Sequence, residues 1–297
     1  MDSKNFDPCP STFHILPKDP EDALRIFLNE PKTPIIRENT PITSMGSCFA
    51  DNIRIYLKSN KFNYLQIEPD CEGFTSNWGR VYNTGSMRQI FDYSHSLKFM
   101  PNERWWQDRD GFIVDPYRSV LKYDNKENSE NNFQQHMYYS RESILKSEVI
   151  ILTVGLTETW RSRADGLYYY GRPIQPNPDH HEFHIMMYDE IINDLHAIYT
   201  SAKSLNPIIK IILTVSPVPL KATFRSDVCA VSASAFSKAV LLSAVHSFCL
   251  SRPDSYYFPS FEIVRDVLNA STDKRGTYSP EILNQVMRVF HSFYIYE

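Results

Sequence analysis

Two apolar runs constrain this chain more than anything else in it. Val149-Ile150-Ile151-Leu152-Thr153-Val154 and the segment Ile208 to Val215 lack the polar alternation of a strand with one wet face. Each is therefore predicted to be a strand buried on both sides. Such strands require helices above and below their sheet, and helical patterns lie around them. Ile191, Leu195, Ile198 and Ala202 mark a helix from Tyr188 to Leu205, ended by Asn206-Pro207. A longer helix is predicted from Ser234 to Leu250, followed by a short strand at Tyr256 to Phe258. Upstream, Ile42 to Met45 reads as a short strand, and Phe49, Ile53 and Leu57 predict a helix from Phe49 to Asn60. Ser279-Pro280-Glu281 opens the last helix, with serine as cap and proline in the first turn. The alternation predicts an α/β fold: a three-layer α/β/α sandwich around a central, mostly parallel sheet.

Two regions break the pattern. Residues 1 to 40 carry Pro8, Pro10, Pro17, Pro20, Pro31 and Pro34 and read as an extended arm wrapping a single domain of residues 41–297. A short helix from Glu21 to Leu28 is expected within that arm. Residues 98–132 lose regular periodicity, and Trp105, Trp106, Gly111 and Pro116 predict an insertion of loops and short hairpins. A helix resumes around Arg141 to Lys146, and Asp165-Gly166 before Leu167-Tyr168-Tyr169-Tyr170 reads as a turn or hairpin.

Composition narrows the function classes. With 297 residues, 42% of them hydrophobic, the chain can bury a substantial core. Its net charge of -4 supplies no basic field to draw it to nucleic acid or to an anionic membrane. Cys9, Cys48, Cys71, Cys229 and Cys249 are scattered and form no Cys-x-x-Cys, so they read as reduced thiols and point to a cytoplasmic location. The N-terminal residues show no apolar signal core, and no later run reads as a bilayer span. Neither a P-loop nor a dinucleotide glycine fingerprint is present, so no cofactor is expected. Asn269-Ala270-Ser271 fits a glycosylation sequon but carries no weight without a secretion signal.

In a parallel sheet the reacting groups gather at the carboxyl ends of the strands. Gly46-Ser47, Gly155-Leu156-Thr157-Glu158 and Ser216-Pro217 all hold that kind of position. The segment Gly46-Ser47-Cys48-Phe49-Ala50 resembles the signature of the bacterial GSCFA family, a distant branch of the SGNH/GDSL hydrolase-like superfamily. Trp78-Gly79-Arg80-Val81-Tyr82-Asn83-Thr84, Val154-Gly155-Leu156-Thr157-Glu158-Thr159-Trp160, Phe183-His184, Leu213 to Leu220, Ser237-Lys238 and Tyr257 to Ile263 are similar to the same family, in family order.

The resemblance implies an SGNH/flavodoxin-like sandwich with a nucleophilic serine just after the first strand. It implies Ser47 in that role, with its own amide as one oxyanion donor. Gly79, or a donor near Asn83, stands for the second block's glycine donor. Gly155-Leu156-Thr157-Glu158 sits where the superfamily carries Gly-x-Asn-Asp, so Thr157 replaces the usual oxyanion asparagine and Asn83 is the substitute donor. The chain departs from the pattern near its C-terminus. Where Asp-x-x-His is usual, it reads Asp273-Lys274-Arg275-Gly276-Thr277-Tyr278-Ser279-Pro280, and the histidine is missing. A serine without a base is a poor nucleophile at neutral pH.

Each candidate has a plainer reading beside it. Ser47 either attacks substrate or caps the first helix. Cys48 is either an alternative nucleophile at a helix N-terminus or a core side chain. His184 follows Asp179-His180-His181-Glu182-Phe183 in an expected loop, and is either the substitute base or a structural histidine. His180 and His184 have metal-like spacing, but His-Glu-x-x-His is absent and no metal is expected. Glu158 orients the base, acts as base, binds a substrate hydroxyl, or pairs with Arg161 or Arg163. Lys238 binds an anionic substrate or is solvated. Trp105 and Trp106 either stack on a sugar or pin the insertion to the domain.

The function implied is a serine-dependent esterase or O-acyltransferase acting on an acyl ester of a glycan or cell-envelope precursor. Ser47 attacks, His184 takes the proton and Glu158 orients. Two alternatives stay open. One is a catalytically degenerate module that binds a glycan, a phosphate-bearing ligand or a partner protein without turnover. The other is sulfo- or glycosyl transfer on the same sheet. The expected partner is a small-molecule or glycan ester, with no nucleic acid and no membrane insertion.

Overall fold

A computed structural model describes residues 17, 19–30, 32–69, 78–99, 101, 103–118, 121–274 and 276–296. In chain order the elements begin with helix α1 (Pro20–Asn29), strand β1 (Ile42–Gly46), α2 (Cys48–Ser59) and α3 (Thr84–Ser96). Short strands β2 (Trp106–Gln107), β3 (Ile113–Val114) and β4 (Lys122–Tyr123) lead into α4 (Lys126–Lys146). Then come β5 (Val149–Val154), β6 (Glu158–Ser162), β7 (His181–Ile185), α5 (Tyr188–Leu205) and β8 (Lys210–Val215). The chain closes with α6 (Ala230–Ser251), β9 (Ser255–Phe258), α7 (Ser260–Glu262) with a π turn at Ile263–Val267, and α8 (Pro280–Tyr294).

The two apolar runs are β5 and β8, and they lie side by side at the centre of a parallel sheet ordered β1-β5-β8-β9. Alternation along β5 divides the core. Ile150, Leu152 and Val154 pack with α3, α4, α5 and α6, whereas Val149 and Ile151 pack with α2 and α8 on the opposite face. These side chains are fully buried, each stabilising the fold by roughly 1.5–3 kcal/mol. The three-layer α/β/α sandwich follows from that two-sided burial.

The free edge of β1 is closed by two short pieces of chain. Ile42 N–H donates to Asn63 O (2.9 Å), Leu65 N–H to Ile42 O (2.7 Å) and Val81 N–H to Gly46 O (2.8 Å). Residues 33–36 lie against the end of α8, with Thr33 N–H on Phe293 O, Ile35 N–H on Tyr294 O and Ile36 bridged to Ile295.

Three expectations need correction. The insertion does contain a small antiparallel sheet, β2-β3-β4, but α4 begins at Lys126 rather than near Arg141. Its buried stripe is Ser129, Phe133, His136, Met137, Ser140, Ser143 and Ile144, so helical periodicity exists in burial and not in hydropathy. The polar members are satisfied: Trp78 Nε1–H donates to Ser140 Oγ (2.9 Å), and His136 Nδ1 meets Glu68 Oε2 (2.8 Å). Secondly, His184 lies on a strand, not in a loop, because residues 181–185 pair with Glu158–Ser162 across a long connection. Thirdly, α6 extends beyond the predicted helix at both ends and is long and apolar enough to cross a membrane by length and composition. Here it is the crossover between β8 and β9, and it packs Leu241, Ala244, Val245 and Phe248 on the sheet.

Candidate active site

The helix after β1 lies on one face of the sheet and the helix after β5 on the other, and between such strand ends parallel sheets form their binding crevices. Ser47 stands at that point. Gly46 allows it: φ is +152°, and a Cβ there would sit 2.4 Å from Thr153 O. Only glycine lets β1 approach β5 so closely. Ser47 itself is extended and 2% exposed. Its Oγ caps α2 by accepting from Phe49 N–H (3.4 Å), and its own N–H donates to Thr153 O (3.2 Å). The amide that the resemblance assigns to the oxyanion is thus committed to the sheet.

Three strand-end segments meet around it. A Cβ on Gly155 would lie 3.2 Å from Ser47 Cβ and 3.3 Å from Tyr82 O. Tyr82 O accepts from Gly155 N–H (2.9 Å) and Leu156 N–H (3.0 Å). Thr157 is buried; its N–H donates to Ser237 Oγ (2.9 Å), and the two hydroxyls hydrogen-bond at 2.6 Å.

Lys238, from the middle of α6, is 2% exposed, which excludes the solvated-lysine reading. Its Nζ donates to Gly155 O (2.8 Å) and Ser216 O (2.6 Å), tying β5 to β8. Burial pushes its pKa down to about 7, against a smaller opposing effect of Cys48. Both carbonyls accept from Nζ whether it is an ammonium or an amine, so at neutral pH the two forms share the site. Burial also raises the Cys48 thiol, outweighing the nearby Arg80 and Lys238 charges. This disfavours the thiolate that a cysteine nucleophile needs.

The remaining candidates lie further along the loops. Asn83 caps α3 through Ser86 N–H (2.8 Å) and donates from Nδ2 to Thr159 Oγ1 (3.2 Å). Gly79 adopts φ +66° beside Arg80, which bridges to Gly46. Glu158 accepts from Thr223 Oγ1 (2.7 and 2.9 Å) instead of pairing with Arg161, which binds Glu182 (2.8 Å). His184 Nε2 meets Glu190 Oε1 (2.8 Å), and Glu190 also accepts from Met187 N–H at the start of α5. Among the described residues no histidine hydrogen-bonds Ser47, and no cluster of three metal-ligating side chains exists.

The departure at the C-terminus has a structural outcome. Asp273 closes its own loop by accepting from Thr277 N–H (2.8 Å), and Tyr278 enters the site region, donating to Pro217 O (2.8 Å). Tyr278 lines a cavity of about 450 Å³ with Lys238 and Arg265. Leu220 lines both this cavity and a second, about 230 Å³, whose walls include Asn83, Glu158, Trp160 and Phe224. Sequence reasoning missed Ser237, Tyr82 and Tyr278. All three stand inside the quoted segments, but no local feature gave them a role.

Among solved structures the chain is similar to a carbohydrate esterase family 3 protein from Talaromyces cellulolyticus: 9% identity, 84% of this chain and 94% of that one covered, TM-score 0.38. It is also similar to an acetyl xylan esterase, Est2A, from the rumen bacterium Butyrivibrio proteoclasticus: 11% identity, 87% and 63% covered, TM-score 0.38. Likenesses this distant carry no functional argument. No curated protein matches the chain. The GSCFA family profile matches residues 41–290, from the start of β1 into α8, and the chain belongs to the GSCFA family.

Proposed function

We propose that this protein is a serine-dependent, SGNH-like esterase or O-acyltransferase acting on an acyl ester of a glycan or cell-envelope precursor. The observation that supports it is the position of Ser47, at the switch point of a parallel sheet and the N-terminus of α2, with Gly155 packed against its Cβ. In this reading Ser47 Oγ attacks the acyl carbon and forms an acyl-enzyme as the alcohol leaves; water or an acceptor hydroxyl then takes the acyl group. Asn83 and Gly79 supply oxyanion donors, since the Ser47 amide is spent on Thr153. Glu158 exchanges Thr223 for a substrate hydroxyl. Two groups compete for the proton: His184, which must leave Glu190, and Lys238, whose burial lowers its pKa to about 7. The unbridged thiols of Cys48 and Cys229 support a reducing, cytoplasmic setting.

Hydrolysis of short aryl esters tests the scheme. Ser47→Ala is expected to lower kcat by about 10³-fold or more. The pH profiles of His184→Asn and Lys238→Met then assign the base, because only loss of the true base removes the acidic limb. Turnover by Ser47→Ala at the wild-type rate overturns the scheme. A second reading, binding without turnover, is favoured by the use of Ser47 Oγ as a helix cap with no histidine partner. It predicts no labelling by a fluorophosphonate and ligand binding indifferent to Ser47→Ala.

A further inference from the structure

Helix α6 sends two adjacent side chains, Ser237 and Lys238, to the loop after β5, and both are buried. Ser237 Oγ accepts from Thr157 N–H (2.9 Å) and shares a second hydrogen bond with Thr157 Oγ1 (2.6 Å). Lys238 Nζ donates to Gly155 O (2.8 Å). From the other side, Tyr82 O takes the amides of Gly155 (2.9 Å) and Leu156 (3.0 Å). Three successive amides of the loop are thus engaged, two by a distant carbonyl and one by a helix side chain.

The resemblance expects an oxyanion donor at Thr157. Here its amide is spent on Ser237, and its buried hydroxyl is paired with the same oxygen. Thr157 therefore acts as an anchor. What the anchor controls is the approach of Gly155 to Ser47. The glycine backbone stands so near that an added Cβ would lie 3.2 Å from Ser47 Cβ. Without the Ser237 oxygen a buried amide loses its acceptor, and the loop must shift to find another. Displacement of a reacting group by about 1 Å can cost about 10²-fold in rate. We propose that Ser237 is a positioning residue, which through Thr157 holds the Gly155 turn against Ser47 and so sets where that serine meets its substrate. The inference rests on Ser47 as the nucleophile, and its anchoring half is measurable without turnover.

Steady-state hydrolysis of aryl esters and amide hydrogen exchange on the full chain test it together. Ser237→Ala should lower kcat and the rate of fluorophosphonate labelling by about tenfold, with KM changed by less than about threefold. A merely structural role would lower the unfolding temperature and leave kcat per folded molecule unchanged. In the same variant the Thr157 amide should exchange at least about tenfold faster, and Gly155 and Leu156 should follow. Thr157→Val, which keeps the amide bonded to Ser237, should be milder than Ser237→Ala. Removal of a true oxyanion donor costs about 10²–10³-fold in kcat, so a loss of that size in Thr157→Val with Ser237→Ala unaffected would overturn the proposal. Unchanged exchange at all three amides in Ser237→Ala would overturn it as well, with or without turnover. A wild type that turns over no ester and takes no label, yet loses amide protection in Ser237→Ala, would sink the Ser47 reading and leave the anchor standing.

Discussion

Around Ser47 most buried polar groups have partners, Thr157 with Ser237, Lys238 with two carbonyls, Gly155 and Leu156 with Tyr82, while Thr153 Oγ1 has none. Around Asp115 a carboxylate oxygen and an indole N–H have none. The strand ends are a closed network that fixes backbone positions before any ligand arrives, as preorganised catalysis requires. The insertion instead leaves these two groups sealed within its packing, at a cost of about 1–3 kcal/mol each.

Glycine substitution breaks this contrast most sharply. Gly46→Ala should cost about 3–5 kcal/mol or abolish folding, because its Cβ would meet Thr153 O at 2.4 Å. Gly111→Ala, in the insertion, should cost only about 1 kcal/mol: φ is +88°, but the nearest atom lies 3.9 Å away. Urea unfolding measures both, and equal losses would show that β1 and β5 are not held as described.

The pH dependence of stability separates the two regions next. Lys238 titrates near 7 in the fold and at the ordinary lysine value when unfolded. Between those values the unfolded chain holds the extra proton, so stability rises with pH from about 7 toward 9. Lys238→Met should lose that rise, whatever its overall cost. Burial pushes Asp115 up to about 6, against the nearby Arg118 charge, so its folded form takes up a proton first as pH falls from 6 to 4. Its contribution therefore increases on acidification, and Asp115→Asn should lack that increase. His136, pushed down to about 4 chiefly by burial, acts in the opposite direction over the same range. The difference between wild type and Asp115→Asn isolates the carboxylate. A flat difference across pH 4 to 6 would place Asp115 in water.

The smallest effect is on the cap. Ser47→Ala should cost about 1 kcal/mol of stability through the lost α2 cap. Thermal unfolding that shows a far larger loss would attribute any missing activity to misfolding rather than chemistry.

The central strands were legible because two-sided burial leaves a run of apolar residues that few other structures tolerate. The Ser47 elbow was legible because a glycine–serine pair after such a run has few uses. Helix α4 was not, since its inward stripe contains serines and a histidine whose burial depends on partners as distant as Glu68 and Trp78. His184 was misplaced because a strand paired across more than twenty residues leaves little local trace. Lys238 read equally well as solvated, since nothing local reveals that two strand-end carbonyls wait for it.

By itself, then, the amino-acid sequence determined the layered α/β/α sandwich, the order of its central strands along the chain and the place of Ser47 at a strand end. Those are properties of local burial patterns and short-range turn chemistry. Only the tertiary structure decided which buried polar groups are satisfied. That placed a buried lysine beneath the Ser47 loops, tied His184 to Glu190 and left Asp115 Oδ2 and Trp105 Nε1 without partners. Partner distances and dielectric surroundings arise only when distant segments meet, and the chemistry of a site rests on both.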